Sequence, residues 1–211
     1  MNVKDLDSWY LAKEYDPENK EVNRIRKLGK IKNRKVLVIG TYGVLSIASK
    51  IVKYATTVTA VHKNKKLINY CKKNKSKKVE FKYGNIAELH FPAASFDVIL
   101  CPWEGLYYKK KNASLLRKLN EILKDKGILL IEEANEKSEY VKILNVIIPL
   151  KKSKIKKYRD NLKIIFQKYF VIKENKLNTY YEFKNKKQLK EYFQKEIIFN
   201  EKKKFTKEGV K

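Results

Sequence analysis

The residues best suited to chemistry sit where apolar runs end. Gly40-Thr41-Tyr42-Gly43 interrupts a β-branched run, Val36 to Ile39, and leads into apolar residues near helical spacing at Leu45, Ile47, Ala48, Ile51, Val52 and Ala55. A glycine turn between a strand and a helix presents backbone N–H groups and a helix N-terminus to a nucleotide-like ligand. His62 closes the next apolar run, Val58 to Val61, and Asn85-Ile86 follows Tyr83-Gly84. Cys101-Pro102-Trp103-Glu104 follows a fourth run, Phe96 to Leu100. Glu104 is either a general base at a substrate mouth or a solvated loop carboxylate, and His90 reads as a surface turn residue. Cys71 and Cys101 lack the paired spacing of a zinc site or a disulfide framework, so two reduced thiols are expected.

These positions need a scaffold that brings strand ends together. Val36–Ile39 reads as a strand buried on both faces of a parallel sheet, Leu45–Tyr54 as a helix, and Val58–Val61 as the second strand. Lys63–Asn74 places Leu67, Ile68 and Cys71 on one side of a helix ringed by lysine. Val79–Tyr83 alternates as a third strand, and Phe96–Leu100 is a fourth. Leu115–Leu123 reads as a helix, with Gly127 suited to the left-handed turn that ends it, and Ile128–Glu132 as a fifth strand. Ahead of this core, a helix is predicted over Pro17–Leu28 with Asp16 as N-cap. After it come an apolar helical segment at Val141–Leu150, a basic run at Lys151–Lys157, and a helix at Asn161–Phe170. A strand at Asn178–Phe183, a helix at Lys186–Lys195 and a short last strand at Ile197–Asn200 follow. In an open α/β sheet the ligand lies at the carboxyl ends of the strands, where all the candidate residues fall.

From the glycine turn onward the chain resembles the class I S-adenosylmethionine-dependent methyltransferases. The likeness continues in order through Tyr83–Leu89 (YGNIAEL), Phe91–Leu100 (FPAASFDVIL) and Leu115–Glu133. It covers roughly residues 20–135 and carries a degenerate glycine loop. The resemblance implies a three-layer, Rossmann-like α/β fold with a mostly parallel sheet of about seven strands, the last antiparallel. One domain over 1–211 is expected: a helical lead at 1–34, a cofactor-binding core at 35–135, and substrate-side elements at 136–211. The implied cofactor is S-adenosylmethionine, held by Gly40, Thr41, Tyr42, Gly43, His62, Asn85, Ile86 and Cys101. Three departures matter. Tyr42 stands near the family's middle glycine, Val38 replaces an acid in the first strand, and His62 replaces the Asp or Glu that holds both ribose hydroxyls. A neutral imidazole accepts only one such hydrogen bond. Asn85 replaces an aspartate, yet its carbonyl can still accept from the adenine amino group, with the Ile86 N–H reaching the ring. The acceptor would approach near Trp103–Tyr108 and the N-terminal Tyr10 or Tyr15. Cys101-Pro102-Trp103 partly resembles the Pro-Pro-aromatic loop of methyltransferases acting on nucleobase amino groups, without its leading Asp or Asn and its second Pro.

The formal charge of +27 from 50 basic and 23 acidic residues makes nucleic acid a candidate partner. Arginine is confined to Arg24, Arg26, Arg34, Arg117 and Arg159, so the surplus is lysine, as an A- and T-rich genome would also produce. No apolar run reaches the ~20 residues that span a bilayer, and the first residues lack a secretory core, so a cytoplasmic protein with no membrane partner is expected. Two functions are in play. One is methyl transfer to a small-molecule or RNA acceptor; the other is a methyltransferase-like domain with lost or weakened cofactor binding, acting as a basic nucleic-acid-binding or partner subunit. A dinucleotide-dependent oxidoreductase fits less well, because GTYG does not give the G-x-G-x-x-G spacing and no acid ends the second strand.

Overall fold

The computed structural model describes residues 18–40, 44–74, 77–102, 112–132, 137, 142, 164–178, 184–191 and 194. Its elements are α1 (Lys20–Gly29), β1 (Lys35–Ile39), α2 (Val44–Ile51), β2 (Thr57–His62) and α3 (Lys65–Asn74). They continue as β3 (Val79–Tyr83), β4 (Phe96–Pro102), α4 (Asn112–Ile122) and β5 (Leu123–Glu132). The strands form one sheet in the order β3-β2-β1-β4-β5, and every pairing is parallel. Strand order reverses between β1 and β4, which is the switch point where an open α/β sheet leaves a crevice at its carboxyl edge.

Burial on both faces explains the unbroken apolar runs. Val36 and Val38 point into a cluster with Val22, Ile25, Leu45, Ile51 and Leu67, which belongs to α1, α2 and α3. Leu37 and Ile39 point the other way, into a cluster with Ile99, Leu116, Leu119 and Ile122, and Phe166 joins it from the C-terminal segment. Layers of helix on each face of a central sheet are the three-layer arrangement expected. Of the expected seven strands, five are present among the described residues. The two remaining candidates, at Asn178–Phe183 and Ile197–Asn200, lie outside them except for Asn178, which is not in a strand.

Several boundaries differ from the sequence reading by a few residues, the fifth strand starting as early as Leu123, and two of the differences have a physical reason in the backbone. The first helix begins at Lys20, not Pro17, because Asn19 takes a left-handed conformation (φ 56°) and supplies no side-chain cap. Asparagine tolerates that region where most residues do not. At the other end of the core, the left-handed residue is Lys126 (φ 57°) and not Gly127. Gly127 is instead required by space, since a Cβ there would lie 2.6 Å from Leu123 Cγ and 2.8 Å from the Lys124 carbonyl oxygen. The β4–β5 register jumps from Phe96↔Leu123 to Val98↔Ile128, so Lys124–Gly127 bulges out before regular pairing begins.

Candidate functional site

The carboxyl edge gathers the ends of β1, β2, β3 and β4. Two strands leave it through glycine: Gly40 after β1 has φ 151° and Gly84 after β3 has φ 147°. Backbone in this region is open to glycine and strained for other residues. At Gly84 the space is also taken, because a Cβ would sit 3.1 Å from Leu89 Cδ2. Thr41, Tyr42 and Gly43 lie outside the described residues, as do Tyr10, Tyr15 and Trp103–Tyr108 with Glu104.

His62 ends β2 and is not a surface histidine, being 3% exposed. Its Nδ1 accepts the Asn64 backbone N–H at 2.9 Å. A ring nitrogen that accepts carries no proton, so the proton of the neutral ring belongs on Nε2. His62 is therefore a donor at Nε2 and has no second acceptor for a ligand hydroxyl. The same Asn64 caps α3, its Oδ1 accepting from Leu67 N at 3.1 Å and its carbonyl from Ile68 N at 3.1 Å. Imidazole orientation and helix start are thus fixed by one residue. Sequence reasoning did not single out Asn64, although an asparagine directly before an amphipathic helix is an N-cap signal.

The segment after β3 turns tightly. The Asn85 carbonyl accepts from Glu88 N (2.9 Å) and Leu89 N (3.1 Å), while its Oδ1 accepts from Ala87 N at 3.4 Å. Its Nδ2 donates to Glu88 Oε1 at 3.1 Å. This is a side-chain-braced turn, with the asparagine accepting from the chain two residues on and its amide held by the glutamate three residues on. The pairing fixes which way the Asn85 amide faces and brings a carboxylate, Glu88, beside it, another residue the sequence reading passed over. Ile86 is buried (8% exposed) in the same cluster as Ile39 and Val61. Cys101 is buried too, with its thiol in that cluster and its Cα paired in register with Ile131. What Cys101 brings to the edge is backbone. His90 is exposed, as expected of a turn.

Chemically, the edge combines glycine exits, one buried imidazole, and an oriented amide beside a carboxylate. No group of three or more His, Cys, Asp or Glu that could hold a metal occurs among the described residues. No helix there is long and apolar enough to cross a membrane.

Residues 38–131 match the family model of a methyltransferase domain. Among solved structures, a candidate methyltransferase from Bacillus halodurans C-125 aligns at 19% identity over 73% of this chain and 70% of that one, with a TM-score of 0.52. An S-adenosylmethionine-dependent methyltransferase from Aquifex aeolicus aligns at 21% identity over 64% of this chain and 75% of that one (TM-score 0.49). The YcgJ protein of Bacillus subtilis aligns at 23% identity over 60% of this chain and 57% of its own (TM-score 0.46). The aligned part thus spans little more than half of the last protein. No curated protein matches. The B. halodurans likeness agrees with the fold, and the family model covers the segment from β1 to β5 that builds the carboxyl edge.

Proposed function

We propose, from the match of residues 38–131 to the family model of a methyltransferase domain and from their Rossmann-like sheet, that the protein transfers a methyl group from S-adenosylmethionine to a small-molecule or RNA acceptor. The observation that carries the reading is the convergence at one edge of Gly40, His62 and Asn85, at the ends of β1, β2 and β3. When bound, the sulfonium supplies an already activated methyl group, whose S–C bond breaks as the acceptor lone pair bonds to carbon, the bond pair returning to sulfur.

The protein's task is then to align and to exclude water. Gly40, with φ 151°, would let the chain turn closely under the methionine part. His62 and Asn85 would hold the adenosyl part, the imidazole at the ribose and the second lone pair of Asn85 Oδ1 at the adenine amino group. The Ile86 N–H and the backbone at Cys101 close the pocket around the ring. No acid or base is required of these residues beyond removing the acceptor proton.

One observation favours a weaker grip on the cofactor. A carboxylate accepts both ribose hydroxyls, whereas His62 has its acceptor nitrogen already engaged by Asn64. The missing charge-assisted bond is worth about 1–3 kcal/mol, or roughly tenfold to a hundredfold in affinity. Calorimetric titration with S-adenosylmethionine and S-adenosylhomocysteine is the test. Micromolar to sub-millimolar binding supports the enzyme. No heat at millimolar ligand, with protein shown folded, replaces it with the scaffold reading.

A further inference from the structure

The carboxyl edge is not the only place to look for a ligand surface. A groove of about 600 Å³ runs beside β3, the outer strand of the sheet among the described residues, and Lys72, Lys77, Lys82 and Tyr83 are among its lining residues. Its one carboxylate among the described residues is Glu80, and both oxygens of that group are engaged: Oε2 accepts from Thr59 Oγ1 at 3.0 Å, and Oε1 lies 3.1 Å from Lys82 Nζ. Lys72 and Lys77 are exposed and meet no carboxylate among the described residues. The groove therefore keeps a positive surplus that its own residues do not neutralise.

Tyr83 gives the groove a second property. It is 52% exposed at the carboxyl end of β3, a large aromatic left in solvent. β3 is about 16 Å long at the usual rise of a strand, so Lys77, just ahead of its start, and the Tyr83 ring at its carboxyl end stand at opposite ends of the groove, with Lys82 beside the ring. A basic track ending in an exposed ring is the combination that holds single-stranded nucleic acid, lysines pairing with phosphates and the ring stacking on an unpaired base. A duplex offers the phosphates and keeps its bases stacked away from such a ring.

We propose that the β3 groove binds single-stranded nucleic acid through Lys72, Lys77 and Tyr83. Tyr83 pairs in register with His62, so a strand in the groove passes beside the carboxyl edge. The surface does not depend on the cofactor, and its test contains none, so it stands or falls separately from the methyl-transfer reading. Lysines on an edge strand also deter pairing with other chains. That role alone predicts aggregation on substitution, with no selective loss of nucleic-acid binding.

The experiment is fluorescence anisotropy with end-labelled 12-nucleotide single strands of RNA and DNA and the matching duplexes, from 50 to 200 mM salt. The substituted side chains are exposed, and circular dichroism checks that each variant is folded. Lys72→Glu/Lys77→Glu is expected to weaken single-strand binding at least tenfold and to lower the log–log salt slope by about 1.4, two phosphate contacts' worth. The control Lys27→Glu/Lys32→Glu changes net charge equally on exposed residues elsewhere and is expected to cost less than threefold. Tyr83→Ala should weaken single strands about tenfold and leave duplex unchanged, with Tyr83→Phe restoring the wild-type value. Equal losses from the two lysine pairs would mean a diffuse field and overturn the proposal. So would a silent Tyr83→Ala, or duplex bound as tightly as single strand.

Discussion

The two edges of the sheet use polar groups in opposite ways. At the amino edge, Asp97 near the start of β4 accepts the Lys35 N–H of β1 at 2.9 Å and Lys124 Nζ of β5 at 2.9 Å. One carboxylate ties three strands across 62 residues on one side and 27 on the other. At the carboxyl edge the bonds are local: His62 to Asn64, and Asn85 to Ala87 and Glu88. The amino edge holds strands to one another, while the bonds at the carboxyl edge shape the turns that follow β2 and β3. Substitutions at the first should change stability alone, and those at the second that alter the His62 ring or the turn carrying Asn85 should change ligand binding.

The largest effect is expected from Asp97→Ala. Losing two bonds to a charged acceptor should cost about 2–3 kcal/mol, with Lys124 contributing the smaller part because it is partly exposed. A urea midpoint shift at unchanged m-value, with cofactor affinity unchanged within about twofold, is the expected outcome. A large loss of affinity would erase the distinction between the edges. The same residue makes a pH prediction. Burial pushes the Asp97 carboxyl up, but Lys124, the Lys35 N–H and nearby Arg34 outweigh it and hold the group below its ordinary value. A carboxyl depressed in the folded state stabilises fully above its unfolded pKa of about 3.9 and loses that contribution as pH falls through the folded value. Wild type should therefore lose its advantage over Asp97→Asn between about pH 5 and pH 2, and urea midpoints of both across that range check it.

Gly84→Ala comes next, at about 1–3 kcal/mol, from a left-handed-side backbone and a Cβ placed against Leu89. Unlike Asp97→Ala it should also weaken S-adenosylmethionine binding, because the turn that carries Asn85 must shift. Calorimetry and urea melts on one sample separate the two losses. His62→Asp probes the same edge in the direction of gain. It restores an acceptor pair for the ribose and can still accept the Asn64 N–H, so affinity should rise about tenfold, or ~1.4 kcal/mol. A fall in affinity with the fold intact would mean that the ribose does not lie against β2.

The difference between the edges also explains what could be read without coordinates. β1, β2 and β4 were legible because strands buried on both faces need largely apolar runs, and glycine or proline punctuates the ends of β1 and β4. His62 was legible as a strand-end residue for the same reason, although its burial was not. Local signals compete at boundaries: Pro17 fits a helix start by type, but the left-handed Asn19 overrides it. Gly127 fits a left-handed turn, but Lys126 takes that conformation while Leu123 and the Lys124 carbonyl crowd the glycine. The Asp97 staple has no local pattern at all, since its partners are set by strand order. The expected sixth and seventh strands, the Thr41–Gly43 loop and the Trp103–Tyr108 segment lie outside the described residues.

The smallest effect, and the sharpest separation, belongs to Asn64→Ala. Asn64 serves the edge twice: its side chain caps α3 through Leu67 N, and its backbone N–H fixes His62 Nδ1. Alanine removes the cap and keeps the N–H. Loss of an asparagine cap costs about 1 kcal/mol, so the urea midpoint should fall by that amount while cofactor affinity stays within about twofold. Asn64→Pro removes the N–H as well, freeing Nδ1 and letting the imidazole turn. Affinity should then change, with the proton able to move to either ring nitrogen, and a nitrogen-15 spectrum of His62 reports the tautomer directly. If Asn64→Ala alone disturbs that spectrum, the cap orients the ring through the helix. If only Asn64→Pro does, the single N–H bond is what aims His62 at the crevice.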